Sequence, residues 1–340
     1  MTKILVTGGA GYIGSHTIVD LLQNGFEVIS ADNFINSDGS AFEGIRQITG
    51  QEITNYDVDL ADLESTKAIF KAHPDIGGII HFAALKLVGE SVEKPLEYYR
   101  NNLNSLLNIL ECMKEFDVKN LIFSSSCSVY GNAEELPVTE DTPILPAESP
   151  YAHTKQIGEE ICRNFLIAHP QHNIILLRYF NPAGAHTSGL LGETPNTPPA
   201  NLVPIITETA IGKRDKITVF GDDYPTRDGS CIRDYIHIMD LANAHTKSLQ
   251  YIEKTNLKGA EVFNVGIGEG VSVLEAINAF LNTTGQPLNY EIGARRPGDV
   301  IAIYANYEKA KTKLGWRPQL SIEDIMRSAW EWEVKRGREK

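Results

Sequence analysis

Ile4-Leu5-Val6-Thr7-Gly8-Gly9-Ala10-Gly11-Tyr12-Ile13-Gly14 lies near the start of the chain and decides its fold. A short apolar run reads as a strand over Lys3–Thr7, and glycines then recur at every third position: Gly8, Gly11 and Gly14. Glycine is needed where a chain turns sharply from strand to helix and lets a phosphate reach its backbone amides. The helix that follows presents the positive end of its dipole to that phosphate. Ile18, Leu21 and Leu22 mark one helical face, and Gly25 stands where a C-terminal cap belongs. A second apolar run, Glu27–Ala31, leads to Asp32, 18 residues beyond Gly14. A carboxylate there accepts both adenosine-ribose hydroxyls and repels a 2′-phosphate, so NAD is favoured over NADP.

Further strands are expected at Gly78–Ala83, Asn120–Ser124 and Ile174–Tyr179. Near-continuous apolar strands between amphipathic helices imply an α/β fold with a doubly wound parallel sheet, the Rossmann architecture. Residues 1–180 are assigned to this NAD-binding domain, with a returning segment near 236–262. Residues 181–340, mainly 181–235 and 263–340, are assigned to a smaller α/β substrate domain. Between them, 184–199 is rich in Gly, Pro, Thr and Asn and reads as a long surface loop.

The net charge of −13 over 340 residues argues against a nucleic-acid or anionic-membrane surface. No apolar run approaches the roughly 20 residues that span a bilayer, and the first strand starts too early to leave room for a signal peptide. The four cysteines and nine histidines show no metal-ligand spacing. The scattered thiols suit a reduced, cytoplasmic protein.

Ser149-Pro150-Tyr151 begins another helical pattern, with serine suited to the N-cap and proline to the first turn. Tyr151 and Lys155 then lie one turn apart on one face. Tyrosine ionises near pH ~10, so a phenolate base at neutral pH needs roughly 4 kcal/mol of stabilisation. A neighbouring ammonium and a positive nicotinamide ring both act in that direction. Ser126, within Ser124-Ser125-Ser126-Cys127-Ser128, is placed to hydrogen-bond the reacting oxygen and share its proton. Together these residues point to redox chemistry on an alcohol.

Longer stretches extend the likeness: Asp32-Asn33, His81-Phe82-Ala83-Ala84, Val88-Gly89-Glu90-Ser91, Leu177-Arg178-Tyr179-Phe180-Asn181-Pro182 and Arg233-Asp234-Tyr235-Ile236-His237. From about residue 3 to residue 335 the chain resembles the extended short-chain dehydrogenase/reductase family, in its UDP-hexose 4-epimerase branch. The resemblance implies interconversion of UDP-glucose and UDP-galactose through a 4-keto sugar, with tightly held NAD and no net redox change. It implies Tyr151 as base, Lys155 as its electrostatic partner on the nicotinamide ribose, and Ser126 as aid to proton transfer. For the cofactor it points to Gly8, Gly11, Tyr12, Ile13, Gly14, Asp32, Asn33, Asn36, Ser37, Asp59 and Leu60. It adds Phe82, Ala83, Ala84, Lys86, Asn101, Ser124 and Tyr179. For the UDP-hexose it points, besides Ser126 and Tyr151, to Phe180, Asn181, Asn201, Leu202, Phe220, Arg233, Arg296, Asp299 and Ile303. It also implies a homodimer through paired helices, for which Asn102–Phe116 and Tyr151–Ala168 are the candidates.

Ala84 stands where many relatives carry glycine, and Cys127-Ser128 where they carry Ala-Thr. Ile303 stands where relatives confined to unsubstituted hexoses often carry tyrosine, so UDP-GlcNAc and UDP-GalNAc are expected as secondary substrates. Two other readings stand beside this one. A 4,6-dehydratase would need an acid and a base where this chain has Cys127-Ser128. A non-catalytic NAD sensor would give Tyr151, Lys155 and the arginines no task.

Overall fold

The computed structural model describes residues 2–338 apart from Pro195, Asn256, Pro297 and Gly298. The first half alternates β1 (Lys3–Thr7), α1 (Tyr12–Gln23), β2 (Glu27–Ala31), α2 (Ser40–Thr49), β3 (Thr54–Tyr56), α3 (Leu63–Ala72) and β4 (Ile76–His81). It continues with α4 (Val88–Glu93), α5 (Pro95–Glu115), β5 (Asn120–Ser126), α6 (Pro150–Ala168) and β6 (Asn173–Tyr179). The second half carries β7 (Asn181–Ala183), α7 (Leu202–Ala210), β8 (Ile217–Phe220), β9 (Ile232–Arg233), β10 (Tyr235–His237) and α8 (Ile238–Thr255). It ends with β11 (Gly259–Val265), β12 (Val271–Ser272), α9 (Val273–Thr284), β13 (Tyr290–Gly293) and α10 (Ile322–Arg338).

Seven parallel strands form one sheet in the order β11-β6-β5-β4-β1-β2-β3. Strand periodicity divides its residues between two cores. Ile4, Val6, Ile80, Ile122 and Ile175 face α1, α2 and α8, whereas Leu5, Ile79, Leu121 and Phe123 face α3, α5 and α6. The order reverses beside β1, and the crevice at that switch point is where such sheets bind ligands.

α1 ends as its sequence requires, with Gly25 at φ 83° just beyond the last turn. β1 and β2 have the bounds expected of them. β4 stops at His81, before the expected Ala83, so Phe82 and Ala83 leave the sheet and line the crevice. β5 instead runs on to Ser126.

The second half builds a smaller core from α7, α9, α10 and β8, including Ile206, Val219, Phe280, Ile325 and Met326. The return to the sheet is longer than expected, because β11 extends to Val265. A further return, outside the expected segment, is made by a π-helical turn at Ala310–Leu314 and by Trp316. The Trp316 ring is buried against the sheet and its Nε1 donates to the Asp240 carbonyl at 2.9 Å. Residues 184–199 also depart from a plain surface loop. His186 and Leu191 are buried, and a side chain at Gly192 would meet the Trp332 ring at 2.5 Å.

Candidate active site

The glycine turn is closed on itself and open outward. A Cβ on Gly14 would stand 2.2 Å from the Gly8 carbonyl oxygen, and one on Gly8, at φ 70°, 3.0 Å from the Ala83 amide. At Gly11, the N-cap of α1, the Gly8 oxygen at 3.2 Å is the one neighbour, and no side chain caps the helix. Its first amides therefore face the crevice. Ile13 packs on the sheet core, and the Tyr12 hydroxyl donates to the Gly184 carbonyl at 2.6 Å.

At the end of β2, Asp32 accepts the Ala10 amide at 3.0 Å and the Phe34 amide at 2.8 Å. Its carboxylate is thereby aimed along the crevice beside the glycine turn, although burial raises its pKa. Asn33 caps the next turn by accepting the Ile35 amide, and Asn36 is exposed. The Ser37 hydroxyl is buried without a protein partner among the described residues. Asp59 is exposed and accepts the Ala61 amide. Leu60 differs in kind: its side chain lies in the core and its carbonyl serves Asn108 and Thr66.

Thr7 holds the opposite wall, its carbonyl taking the Phe82 amide and its hydroxyl the Ala83 amide, both at 3.2 Å. Ala84 follows, partly buried, and Lys86 is exposed and paired with Glu193 at 3.4 Å. Asn101 is partly buried on α5. An uncapped helix start, a turn that tolerates no side chain, the oriented Asp32 carboxylate and the orphaned Ser37 hydroxyl all fit NAD.

The reactive groups meet at the ends of β5 and β6. Ser149 caps α6 by accepting the Ala152 amide at 3.2 Å, which fixes Tyr151 and Lys155 in its first two turns. The Lys155 ammonium is buried and donates to the Ser124 carbonyl at 2.7 Å. It stands 5.8 Å from the centre of the Tyr151 ring and 5.2 Å from that of Phe123. Burial lowers its pKa to about 8, which leaves the cation dominant at neutral pH. Burial pushes the Tyr151 phenol well above its ordinary range, while a hydrogen bond from Ser126 pulls it down. The protein alone thus leaves Tyr151 protonated, and positive charge in the crevice must supply the difference. The Tyr179 hydroxyl completes the group through a hydrogen bond with the Ser124 hydroxyl.

Residues expected at the substrate fall into separate groups. Arg296 donates to both Asp299 oxygens, at 3.2 and 2.8 Å, and its guanidinium lies 5.2 Å over the Phe220 ring. Arg233 donates to the Val300 carbonyl at 2.6 Å and approaches Asp299 at 3.8 Å. Phe180 and Ile303 share a small buried cluster with Val129 and Val138. Asn181 opens β7, while Asn201 is the exposed N-cap of α7, where Leu202 packs on the smaller core.

Four residues outside the expected set shape the site. The Asn102 amide latches the loop after β4 by bonding both the amide and the carbonyl of Leu85. Asp234 takes the amides of Ile267, Gly268 and Ala305, and burial raises its pKa to about 6. Glu159 and Arg178 form a fully buried ion pair beneath Tyr151 and Lys155. Only Arg178 carried a sequence signal, a guanidinium on a strand face whose neighbours Leu176 and Phe180 are apolar; Glu159 has Lys155 and Arg163 one turn away on its helix.

A family model described as GDP-mannose 4,6 dehydratase matches residues 5–329. The UDP-glucose 4-epimerase of Bacillus subtilis (strain 168) is 47% identical over 330 residues, covering 97% of this chain and 96% of its own. Among solved structures, the UDP-glucose 4-epimerase of Bifidobacterium longum in complex with NAD+ and UDP is 48% identical, with a TM-score of 0.95 and 99% of both chains covered. The UDP-Glc/GlcNAc 4-epimerase of Campylobacter jejuni is 37% identical, with a TM-score of 0.84, covering 98% of this chain and 100% of its own. Sequence, topology and site geometry agree, and the chain belongs to the UDP-glucose 4-epimerases of the extended short-chain dehydrogenase/reductase family.

Proposed function

We propose that this enzyme interconverts UDP-glucose and UDP-galactose by inverting the hexose 4-position through a transient 4-keto sugar, with NAD held throughout. NAD, when bound, supplies the reversible two-electron oxidation at that carbon. The convergence of Ser126, Tyr151 and Lys155 beside the glycine turn carries the reading.

Tyr151 takes the proton of the 4′-hydroxyl as the keto sugar forms and returns it when the alcohol is restored. Ser126, whose side chain favours the ionised phenol, shares that proton. The Lys155 cation offsets the burial that opposes phenolate formation, and its bond to Ser124 keeps it from swinging away. Residues from Gly8 to Gly14, Asp32, Asn33, Ser37 and Lys86 would hold the cofactor, with Phe82, Ala83 and Tyr179 walling it in. Arg233, Arg296 and Phe220 are suited to grip the diphosphate and uridine, since guanidinium forks favour phosphate oxygens. That grip leaves the hexose free to present either face. Ile303, in an apolar cluster with Phe180, lacks the phenolic ring that would crowd an N-acetyl group, and on that ground UDP-GlcNAc and UDP-GalNAc are proposed as secondary substrates.

The family model's name raises the dehydratase reading, but no carboxyl group stands at Cys127 or Ser128. Asp234, whose charge is felt at Cys127, is committed to three backbone amides. We further propose a cytoplasmic homodimer. Its support is that α5 and α6 leave Leu96, Leu107 and Ile167 exposed, and that the four cysteines are all free. No helix of the described residues is long and apolar enough to cross a membrane.

The test is to incubate purified enzyme with UDP-galactose, without added NAD, and to separate the nucleotide sugars. UDP-glucose should appear with no accumulation of NADH. No conversion, even with NAD supplied, overturns the reading, and a parallel sample with UDP-GlcNAc tests the N-acetylated pair.

A further inference from the structure

Two consecutive residues of β5, Ser124 and Ser125, each hold one residue of α6. The Ser124 carbonyl accepts Lys155 at 2.7 Å and the Ser125 hydroxyl donates to Glu159 Oε1 at 2.6 Å, while Ser126 stands near enough to Tyr151 to favour its ionised form. Tyr151, Lys155 and Glu159 are spaced four apart, so they fall along one side of the helix. Glu159 is fully buried and makes no contact with the crevice, yet it collects more bonds than either of the other two. Arg178, on β6 beside Tyr179, grips it through two parallel hydrogen bonds, Nε to Oε1 at 2.8 Å and a terminal nitrogen to Oε2 at 2.7 Å. Arg163, on the same helix, adds a fourth bond to Glu159 at 2.8 Å.

The network continues toward the substrate side. Arg178 also donates to the Tyr130 hydroxyl at 3.0 Å, and its guanidinium lies 4.9 Å over that ring. Tyr130 in turn donates to Asn264 at 2.6 Å and packs in the cluster that contains Phe180 and Ile303. One carboxylate is therefore joined to β5, β6, α6 and the wall expected to face the hexose. Apolar residues of similar volume would fill such a space at least as stably, since desolvating two charges largely cancels their attraction. What an ion pair adds is direction: a two-pronged bond fixes rotation and register where methyl groups slide.

We infer that Glu159, with Arg178, is a positioning residue for the epimerisation, setting the register of α6 against β5 so that Tyr151 lies beside Ser126 and Lys155 stays on the Ser124 carbonyl. The inference rests on the proposed epimerase reading, which parental turnover of UDP-galactose tests separately.

The experiment compares Glu159→Gln and Ser125→Ala with the parent, each as holoenzyme, in melting temperature, UDP affinity, kcat, KM and the pH profile of kcat. Glu159→Gln keeps the shape but loses the charged fork. We expect kcat to fall roughly 10- to 100-fold with KM nearly unchanged, because small misplacements of reacting groups cost rate more than affinity. The acid limb of the kcat profile should also move to higher pH, since a Tyr151 less well aligned with Lys155 is harder to ionise. A purely structural role would lower the melting temperature and scale the whole profile without moving its limb. Ser125→Ala removes one hydroxyl and leaves the ion pair, so it keeps a readout if Glu159→Gln does not fold. It should lower kcat by about threefold, the loss of one hydrogen bond to a charged group being partly absorbed by Arg178. A folded variant with parental kcat and an unmoved acid limb, in an enzyme whose parent turns over UDP-galactose, overturns the inference and leaves the epimerase reading intact.

Discussion

The two walls of the crevice are held by different means. On the sheet side Ser124, Ser126, Lys155 and Tyr179 are buried, and short hydrogen bonds join Ser124 to Lys155 and to Tyr179. On the opposite side Phe220 and Arg296 are exposed, Arg233 is partly so, and all stand on two-residue strands, strand ends or loops. Both arginines share Asp299, a carboxylate only 13% exposed. The difference separates two tasks. Proton transfer needs distances fixed in advance, whereas a nucleotide must be taken up and let go at every turnover.

The largest expected effect tests the buried wall. Tyr151→Phe keeps the ring and removes the base, and should lower kcat by about a thousandfold, near 4 kcal/mol, with KM for UDP-galactose little changed. Steady-state kinetics decide it; a parental kcat would break the assignment of chemistry to this wall. On the exposed wall, Arg233→Ala should do the reverse. The expected outcome is a KM raised about 30-fold, near 2 kcal/mol, with kcat within a few-fold of the parent. A variant losing kcat at unchanged KM would erase the contrast.

The smallest effect sharpens the comparison through acid. His16 and His245 are buried on the sheet side, and burial lowers their pKa values to about 3 and about 4. In the unfolded chain histidine titrates near ~6.5, so the unfolded state binds the proton first as pH falls. Their contribution to stability is complete above that value and is lost progressively down to the folded pKa values. Each should cost about 1 kcal/mol between about pH 7 and about pH 5.5. Melting temperatures followed against pH check it, and His245→Gln should flatten the decline.

Much of the sheet side was legible in the sequence, because its signals are local. Glycines spaced around a turn, an aspartate at a strand end and a tyrosine one helical turn from a lysine need only neighbours to be read. The bounds of β1 and β2 followed for the same reason. The ion pair of Glu159 and Arg178 escaped, since it joins residues 19 apart whose meeting depends on which strands are adjacent. Asn101 and Asn102 show a finer limit. Neighbours on a helix point about 100° apart, and it is Asn102 whose amide holds the loop after β4. Arg233 and Asp299 were both expected at the substrate, but not as partners, because the chain between them builds β10, α8, β11, β12, α9 and β13 first. The buried hairpin at His186 and Leu191 was hidden by a composition that reads as loop.

The late return of Trp316 to the sheet core has a consequence for how such an enzyme can change over generations. The sheet draws on residues from both ends of the chain: β1 to β6, then α8 and β11, then the turn before Trp316. No single cut yields a cofactor module and a sugar module, so recombination cannot exchange one while sparing the other. A lineage built this way would alter its substrate range in place, one side chain at a time, and Ile303, proposed above to face the hexose, is one such position.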